Sequence, residues 1–493
     1  MRGRSPRLNW QIITPVVSGA LLAVGLGMAI CCAVAVAGGD GATAAFALPA
    51  GVILPLAVAG LASAGRLKSM PLRPRDGFFA VTAAWVVASA AGALPFLLHG
   101  TFEQPVDAFF ESMSGFTTTG ATLLEKIERE PDAVLLWRSL MQWLGGVGIV
   151  VLVVAIAPAT GLATQRVFYA ETSGVTAERL TPRIADTAKI IWTIYGTLTA
   201  AGVVAYWIAG MGAFDAVNHS LTTLASGGFS TRTASIAAFD SLAIELVAIV
   251  FMLLAGVNFA FYWLVLRRRD RLWPQAAEVR AYLLIVAGAS AVIASVLIAS
   301  EEAGGSGTAV RNAVFHVVSL VTSTGYTTAD FDEWHDLART GLFVLMFVGG
   351  CAGSTSGGMK VIRVMLLARA AGQEVQRQLR PTAVQVLRVR GRTFSEDVRR
   401  GVLGFFYIYV AVFLAGTLAM AGFGLDVVSA AGSVAATLNV IGPGFGAVGA
   451  AENYGAVPDG GLWLLSALML IGRLEVFTVL VLLTPAFWRP NVA

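Results

Sequence analysis

The sequence predicts an all-α integral membrane protein: four pseudo-symmetric units of helix, re-entrant loop and helix around one central axis, plus an extra N-terminal pair of transmembrane helices. Three observations carry this expectation. The 493 residues are 56% hydrophobic and only 13% charged, with a mean hydropathy of +0.74, whereas soluble domains carry about 25% charged residues. Such a surface faces lipid. Basic and acidic loops alternate along the chain, and four polar segments share one register that ends on glycine.

Composition also excludes several functions. A net charge of +4 is too small to suggest nucleic acid as a partner. Cys31, Cys32 and Cys351 lie in apolar or glycine-rich surroundings, too few for a disulfide framework or a cysteine-based metal site. Enzyme signals fail in context. Gly444–Gly449 satisfies the GxGxxG pattern but follows a short helical segment with no βαβ unit around it. His99, His219, His316 and His335 are scattered, and no P-loop occurs. The chain is therefore expected to be no enzyme and to hold no organic cofactor.

A spanning helix needs about 20 apolar residues. Candidate spans lie near 12–37, 46–65, 77–99, 133–158, 188–210, 241–266, 281–300, 337–368, 401–423 and 461–487, ten in all. The first follows a basic N-terminus as a signal peptide would, but it exceeds the roughly 7–15 residues of a secretory apolar region and reads as a retained span. Short cytoplasmic loops are enriched in Lys and Arg. Arg2, Arg4 and Arg7 precede span one; Arg66, Lys68, Arg73 and Arg75 follow span two; Arg166, Arg179, Arg183 and Lys189 follow span four. Arg267, Arg268, Arg269 and Arg271 follow span six, and the stretch from Lys360 to Arg400 after span eight is basic as well. The other gaps lean acidic, as at Glu103, Asp107, Glu111 and Glu301, Glu302, Asp330. Both termini are expected in the cytoplasm of a multi-pass protein of the bacterial inner membrane.

The four longer acidic-side gaps contain Asp107 to Gly120, Asp215 to Gly228, Asn312 to Gly325 and Ser429 to Gly442. Thirteen residues before the glycine stand Asp107, Asp215, Asn312 and Ser429, all residues that cap helices, and the next residue is alanine every time: Ala108, Ala216, Ala313 and Ala430. Each segment thus reads as a capped half-helix of about 10 residues, too short to span, running into a polar stretch. Irregular backbone at membrane depth is tolerated where protein buries it or where it lines a water-filled cavity. These are the features of pore loops. Half-helices entering with their N-termini outward aim the negative ends of their dipoles inward, which favours a cation. Glycine can adopt the dihedrals that turn successive carbonyl oxygens toward one axis, and such oxygens can replace the hydration shell of K⁺. The expected K⁺ ligands come from Thr118, Thr119 and Gly120; Ser226, Gly227 and Gly228; Ser323, Thr324 and Gly325; and Val440, Ile441 and Gly442.

Two further features lie in the later spans. Gly349, Gly350, Gly353, Gly357 and Gly358, with Ser354, Thr355 and Ser356, interrupt span eight and are expected to break it into a polar loop at membrane depth. Small residues also let helices pack closely, but five glycines exceed that need. Arg473 stands near the middle of span ten, where an arginine costs at least ~2.5–3.5 kcal/mol unless it faces protein or water. It is expected to project into the pore below the polar segments. Glu475 is an awkward partner for it, because residues two apart face different sides of a helix. Lys360 closes the glycine-rich stretch and can snorkel toward the cytoplasm. His219 and His316 occupy equivalent positions and read as packing or hydrogen-bonding residues of the half-helices.

The segments SGFTTTGAT (114–122), ASGGFSTRTASI (225–236), VTSTGYTTADF (321–331), GGCAGSTSGGMKVIRV (349–364), LNVIGPGFG (438–446) and GRLEVFTVLVLLTPAFWR (472–489) resemble the Trk/Ktr/HKT superfamily of potassium transporters, most of all its bacterial TrkH branch. The resemblance covers nearly the whole chain from about Leu72 to Arg489. It implies four helix–pore loop–helix repeats around one pore, K⁺ as the transported ion, residues 349–358 as an intramembrane gating loop with Lys360 and Arg473 beside it, a homodimer in membrane lipid, and a cytosolic nucleotide-binding regulatory subunit resembling TrkA. The basic linker from Lys360 to Arg400 and the loop 171–184 suit such a subunit. Ser226-Gly227-Gly228 stands where the family often shows Thr-Gly-Gly, and Asn439-Val440-Ile441-Gly442 where Asn-Asn-Val-Gly is common.

The implied organisation is an N-terminal extension over 1–71, repeat one over 72–160 with pore loop 107–121, and a linker with repeat two over 161–270 with pore loop 215–229. Repeat three follows over 271–370 with pore loop 312–326 and the gating loop 349–358, then a linker with repeat four over 371–493 with pore loop 429–444. The expected function is potassium uptake. A weakly selective or Na⁺-permeable pathway, or K⁺ symport with H⁺ or Na⁺, remains the alternative.

Overall fold

In the computed structural model of the chain, residues 8–63, 74–156, 184–266, 273–301, 305–379, 388–389 and 392–488 are described. Most of the basic loop residues, residues 171–183 of the 171–184 loop and Arg489 lie outside the described residues. Six described helices are long and apolar enough to cross a bilayer: Trp10–Gly38, Thr43–Ser63, Arg75–His99, Ala188–Ile208, Ala276–Ser300 and Glu396–Gly422. Another long apolar helix, Asp132–Ile156, is buried over residues 133–142. Among the described residues the regular elements are helices apart from two antiparallel two-residue strands, Arg388–Val389 and Arg392–Thr393.

The N-terminal pair packs closely because of small residues. At Gly60 a Cβ would collide with the Ser18 hydroxyl, and at Gly25 it would press into Leu54. Asn9 caps the first helix by accepting a hydrogen bond from the Gln11 amide, and its own amide donates to Asp76 at 3.1 Å, tying this pair to the third helix.

Three of the ten expected spans are not continuous helices. The span over 241–266 is Leu242–Ala255 and Phe259–Leu266, bent by 87°, with the Asn258 side chain accepting from the Ala260 amide to start the second piece. The span over 337–368 is Asp336–Leu345 and Val361–Leu379, separated by the glycine-rich stretch as its composition implied. The break in span ten was not expected, with one glycine, Gly472, shortly before it. Asp459–Arg473 ends at Leu474, Glu475 and Val476 take left-handed φ of 57° and 56°, and the chain resumes in Phe477–Leu483. The break frees Glu475 to meet Arg363 at 2.8 Å.

Four short helices, Pro105–Thr117, Ala213–Leu224, Ser306–Val321 and Val427–Leu438, enter the interior and are almost wholly buried in their second halves. They have 13, 12, 16 and 12 residues, longer than the expected ten and still too short to span. Their caps differ from expectation. The helices start on residues 105, 213, 306 and 427, so Asp107, Asp215 and Ser429 stand third in the helix and Asn312 seventh. Gln104, Gly212 and Gly305 hold the cap positions without a side-chain bond, and only Asp426 of the four caps through its carboxylate, to the Val428 and Ser429 amides. Acidic residues in the first turn still favour the positive end of the helix dipole, and Pro105 suits the first helical position, where no amide is needed.

Candidate functional site

Each short helix ends in the same conformation. Thr118, Ser226, Ser323 and Val440, two residues before the glycine, take left-handed φ of 58°, 54°, 54° and 60°. The following amides reach back across the helix end: Thr119 to the Ser114 carbonyl at 2.8 Å, Gly227 to Thr222 at 2.9 Å, Thr324 to Ser319 at 2.8 Å and Ile441 to Ala436 at 2.9 Å. This is the Schellman closure, which ordinarily uses glycine at the left-handed position. A threonine, two serines and a valine hold it here, at about 1–2 kcal/mol of steric cost per residue. Strain repeated at equivalent positions marks functional backbone. Then Gly120, Gly228, Gly325 and Gly442 follow with φ of 84°, 75°, 78° and 98°.

These four glycines abut one another's segments in chain order. A Cβ on Gly120 would collide with the Gly227 carbonyl oxygen, one on Gly228 with that of Thr324, and one on Gly325 with that of Ile441. One on Gly442 would stand 2.8 Å from the Thr119 carbonyl oxygen, which closes the ring. Glycine is thus required twice, for its φ and for close approach. All four border a single cavity. The remaining expected ligand residues, Thr119, Gly227, Thr324 and Ile441, therefore supply the carbonyls at the seams of a ring, and backbone carbonyl oxygens are suited to hard monovalent cations.

Side chains that the sequence did not single out clamp this ring. Arg138 and Glu111, 1% and 0% exposed, pair at 2.8 Å. Arg138 also donates to the Ser230 carbonyl and the Thr122 hydroxyl, both at 3.1 Å, and lies 4.0 Å over the Phe229 ring. Glu111 accepts from the Leu123 amide at 3.1 Å. The pair thereby joins the strands leaving the first and second glycines. Tyr454 donates to the Gly442 carbonyl at 2.7 Å, and Gln142 bonds the Gly227 carbonyl at 2.7 Å. None of these pairings has a local spacing; the residues are 12 to 92 positions apart. His219 and His316 do share a role: each Nδ1 meets the carbonyl four residues earlier, of Asp215 at 2.8 Å and Asn312 at 2.9 Å.

The glycine-rich stretch of span eight packs directly on these segments. Its two ends lie side by side, Val348 bridging Met359, with the Gly349 amide donating to the Met359 carbonyl at 2.9 Å. Close approach explains the glycines: a Cβ on Gly349 would strike the Gly357 carbonyl, one on Gly357 the Asn439 carbonyl, and one on Gly350 the Ser356 side chain and the Gly256 carbonyl. Gly353, with φ 76°, lies against the Asn258 side chain, and Gly358 has φ 64°. Thr355 reaches the Ser226 hydroxyl at 2.8 Å and the Leu224 carbonyl at 3.0 Å, and the Gly357 amide donates to the Ser323 hydroxyl. Ser354 turns back to the Cys351 carbonyl.

Arg473, 3% exposed, donates from Nη1 to the Thr355 carbonyl at 2.8 Å and from Nη2 to the Gly145 carbonyl at 3.0 Å. It ties the loop to the helix Asp132–Ile156. Lys360 does not snorkel: it is buried, and its ammonium donates to the Ser356 carbonyl within the same loop. A cation inside the fold that saturates loop carbonyls is better solvated there than lipid would allow.

A family model for TrkH cation transport proteins matches residues 46–489. The chain is 43% identical over 423 residues to the Trk system potassium uptake protein TrkH of Vibrio parahaemolyticus, covering 85% of this chain and 87% of that one. It is 42% identical over 421 residues to the protein of the same description from Escherichia coli, with the same coverage. To the Trk system potassium uptake protein TrkI of Halomonas elongata it is 34% identical over 483 residues, 98% of this chain and 97% of the relative. The crystal structure of the potassium transporter TrkH from Vibrio parahaemolyticus superposes with a TM-score of 0.87 at 38% identity, covering 98% of this chain and all of that one. The chain belongs to the TrkH family of cation transport proteins.

Proposed function

We propose that the chain carries out potassium uptake across the bacterial cytoplasmic membrane through a filter made by the backbone of residues 118–120, 226–228, 323–325 and 440–442. The observation that carries this reading is the ring of four glycines with left-handed φ, each pressed against a carbonyl of the next segment. The relatives' description as potassium uptake proteins supports K⁺ as the ion. The loop 349–358, with Lys360 and Arg473, acts as the gate: it abuts three of the four segments, and its mobility is limited by Arg473. The repeats divide as 72–160, 161–270, 271–370 and 371–493, after the extension 1–71, with both termini cytoplasmic. A homodimer in lipid and a TrkA-like cytosolic regulatory subunit complete the system.

Flux in proteoliposomes with defined K⁺, Na⁺ and H⁺ gradients tests this reading. K⁺ uptake driven by membrane potential and well above Na⁺ uptake is the expected outcome. Comparable K⁺ and Na⁺ rates would overturn selectivity and favour the weakly selective alternative, and obligatory H⁺ or Na⁺ movement would favour symport.

A further inference from the structure

The second of the four segments differs from the others at one position. Immediately before the ring glycine the chain has Thr119, Gly227, Thr324 and Ile441, so only the second segment carries two glycines in a row. Gly227 has no need of a left-handed φ; the left-handed residues of its segment are Ser226 and Gly228. What forbids a side chain there is Gln142. A Cβ on Gly227 would collide with the carboxamide of Gln142, both its Cδ and its Oε1.

Gln142 is fully buried on the helix Asp132–Ile156. Its Nε2 donates to the Gly227 carbonyl at 2.7 Å, and its Oε1 accepts from the Phe229 amide at 3.1 Å. The carboxamide thus bridges the backbone on both sides of Gly228, as a neighbouring strand would. The carbonyls of Thr119, Thr324 and Ile441 accept no comparable bond among the described residues. One oxygen in four at this level is therefore partly committed to an amide donor, and its position is fixed by a side chain rather than by ion binding.

We infer that Gln142 is a specificity-determining positioning residue of the filter, whose carboxamide holds the Gly227 carbonyl in register with the other three and requires glycine at position 227. This rests on the reading of residues 226–228 as part of a K⁺ filter. The cost of closing a carbonyl cage on an ion depends on how far the oxygens must move. On the size-fit account of carbonyl filters, a backbone fixed in advance favours the ion whose size it fits, and a backbone set loose accepts both. Gln142 touches no ion in this account and acts through the carbonyl it holds.

The test is the K⁺-to-Na⁺ uptake ratio of the full-length protein in proteoliposomes. Gln142→Met keeps length and volume but loses both bonds; the ratio falls about fivefold or more, the scale of one buried hydrogen bond, while Na⁺ uptake rises in absolute terms. Gln142→Leu likewise loses both bonds at similar size and lowers the ratio to the same extent. Gly227→Ala loses K⁺ uptake when Gln142 is present and regains part of it in the Gln142→Ala background, where room for the methyl exists. This rescue stays readable should Gln142→Met fail to reach the membrane. An unchanged ratio in Gln142→Met and Gln142→Leu, or a Gly227→Ala defect equal in both backgrounds, would overturn the inference. A wild-type protein that takes up K⁺ and Na⁺ equally would instead overturn the K⁺ selectivity of the proposed filter, on which the inference rests.

Discussion

Arg473 spends its charge on two backbone carbonyls, Thr355 in the glycine-rich loop and Gly145 in the helix behind it. Hydrogen bonds from a charged group contribute about 1.5–3 kcal/mol each, so removing both shifts the loop's equilibrium by tenfold or more on the usual scale of ~1.4 kcal/mol per decade. If the loop is the gate we propose, Arg473→Ala is expected to raise K⁺ flux in proteoliposomes lacking any cytosolic partner; flux equal to wild type would remove Arg473 from that proposed gate. Glu111 and Arg138 make a different kind of contribution. Both are buried, and breaking such a pair from one side costs roughly 3–5 kcal/mol because a charge is left uncompensated. Glu111→Ala should therefore lower the melting temperature sharply, whereas Glu111→Ala with Arg138→Met recovers part of the loss. A double variant no more stable than Glu111→Ala alone would show that the ion pair is not what joins the first two segments.

At the scale of elements, the repeated polar residue that looked like a helix cap sits two residues inside the first turn in three of four helices. The fourfold register was legible because it is a local pattern of fixed length, and the glycines that end it do adopt left-handed backbone. The cap was misjudged because Asp and Ser serve both the cap and the first turn, and sequence alone does not separate positions three residues apart. Asp426 is the residue that caps, held below the ordinary carboxylate pKa by the Ser429 hydroxyl and the Ser429 and Val428 amides. Asp426→Ala should cost about 1 kcal/mol, seen as a lower melting temperature. Because the native pKa is depressed, this contribution is present above the unfolded carboxylate range and disappears as pH falls through the lowered value. Asp107→Asn removes a first-turn charge that has no cap bond and whose pKa burial and the neighbouring Asp459 push up, so it should cost less than Asp426→Ala; a larger loss there than at Asp426 would contradict these boundaries. The break at Glu475 and Val476 was illegible for a related reason. Only Gly472 precedes it, and single glycines are common in membrane helices; the partner Arg363 is 112 residues away.

At the scale of the whole molecule, residues between 118 and 442 converge on one ring, so four stretches of chain far apart in sequence share whatever occupies it. An ion held by all four segments binds the native state and has no equivalent site in the unfolded chain. Stabilisation then follows RT ln(1 + [K⁺]/Kd), about 2.7 kcal/mol at a hundred times Kd. The melting temperature in detergent should rise with the logarithm of K⁺ concentration once Kd is passed, and should be higher in KCl than in NaCl or choline chloride of equal ionic strength. Matching ionic strength matters, because exposed charges respond to any salt through screening alone. Gly325→Ala supplies the control within the ring, since its methyl would occupy the space of the Ile441 carbonyl and should remove the K⁺-specific rise while leaving the general salt response. Coincident melting curves in the three salts for the unmodified protein would mean that the ring does not hold K⁺ in the folded state. A K⁺-specific rise that survives Gly325→Ala would place the stabilising ion elsewhere in the fold.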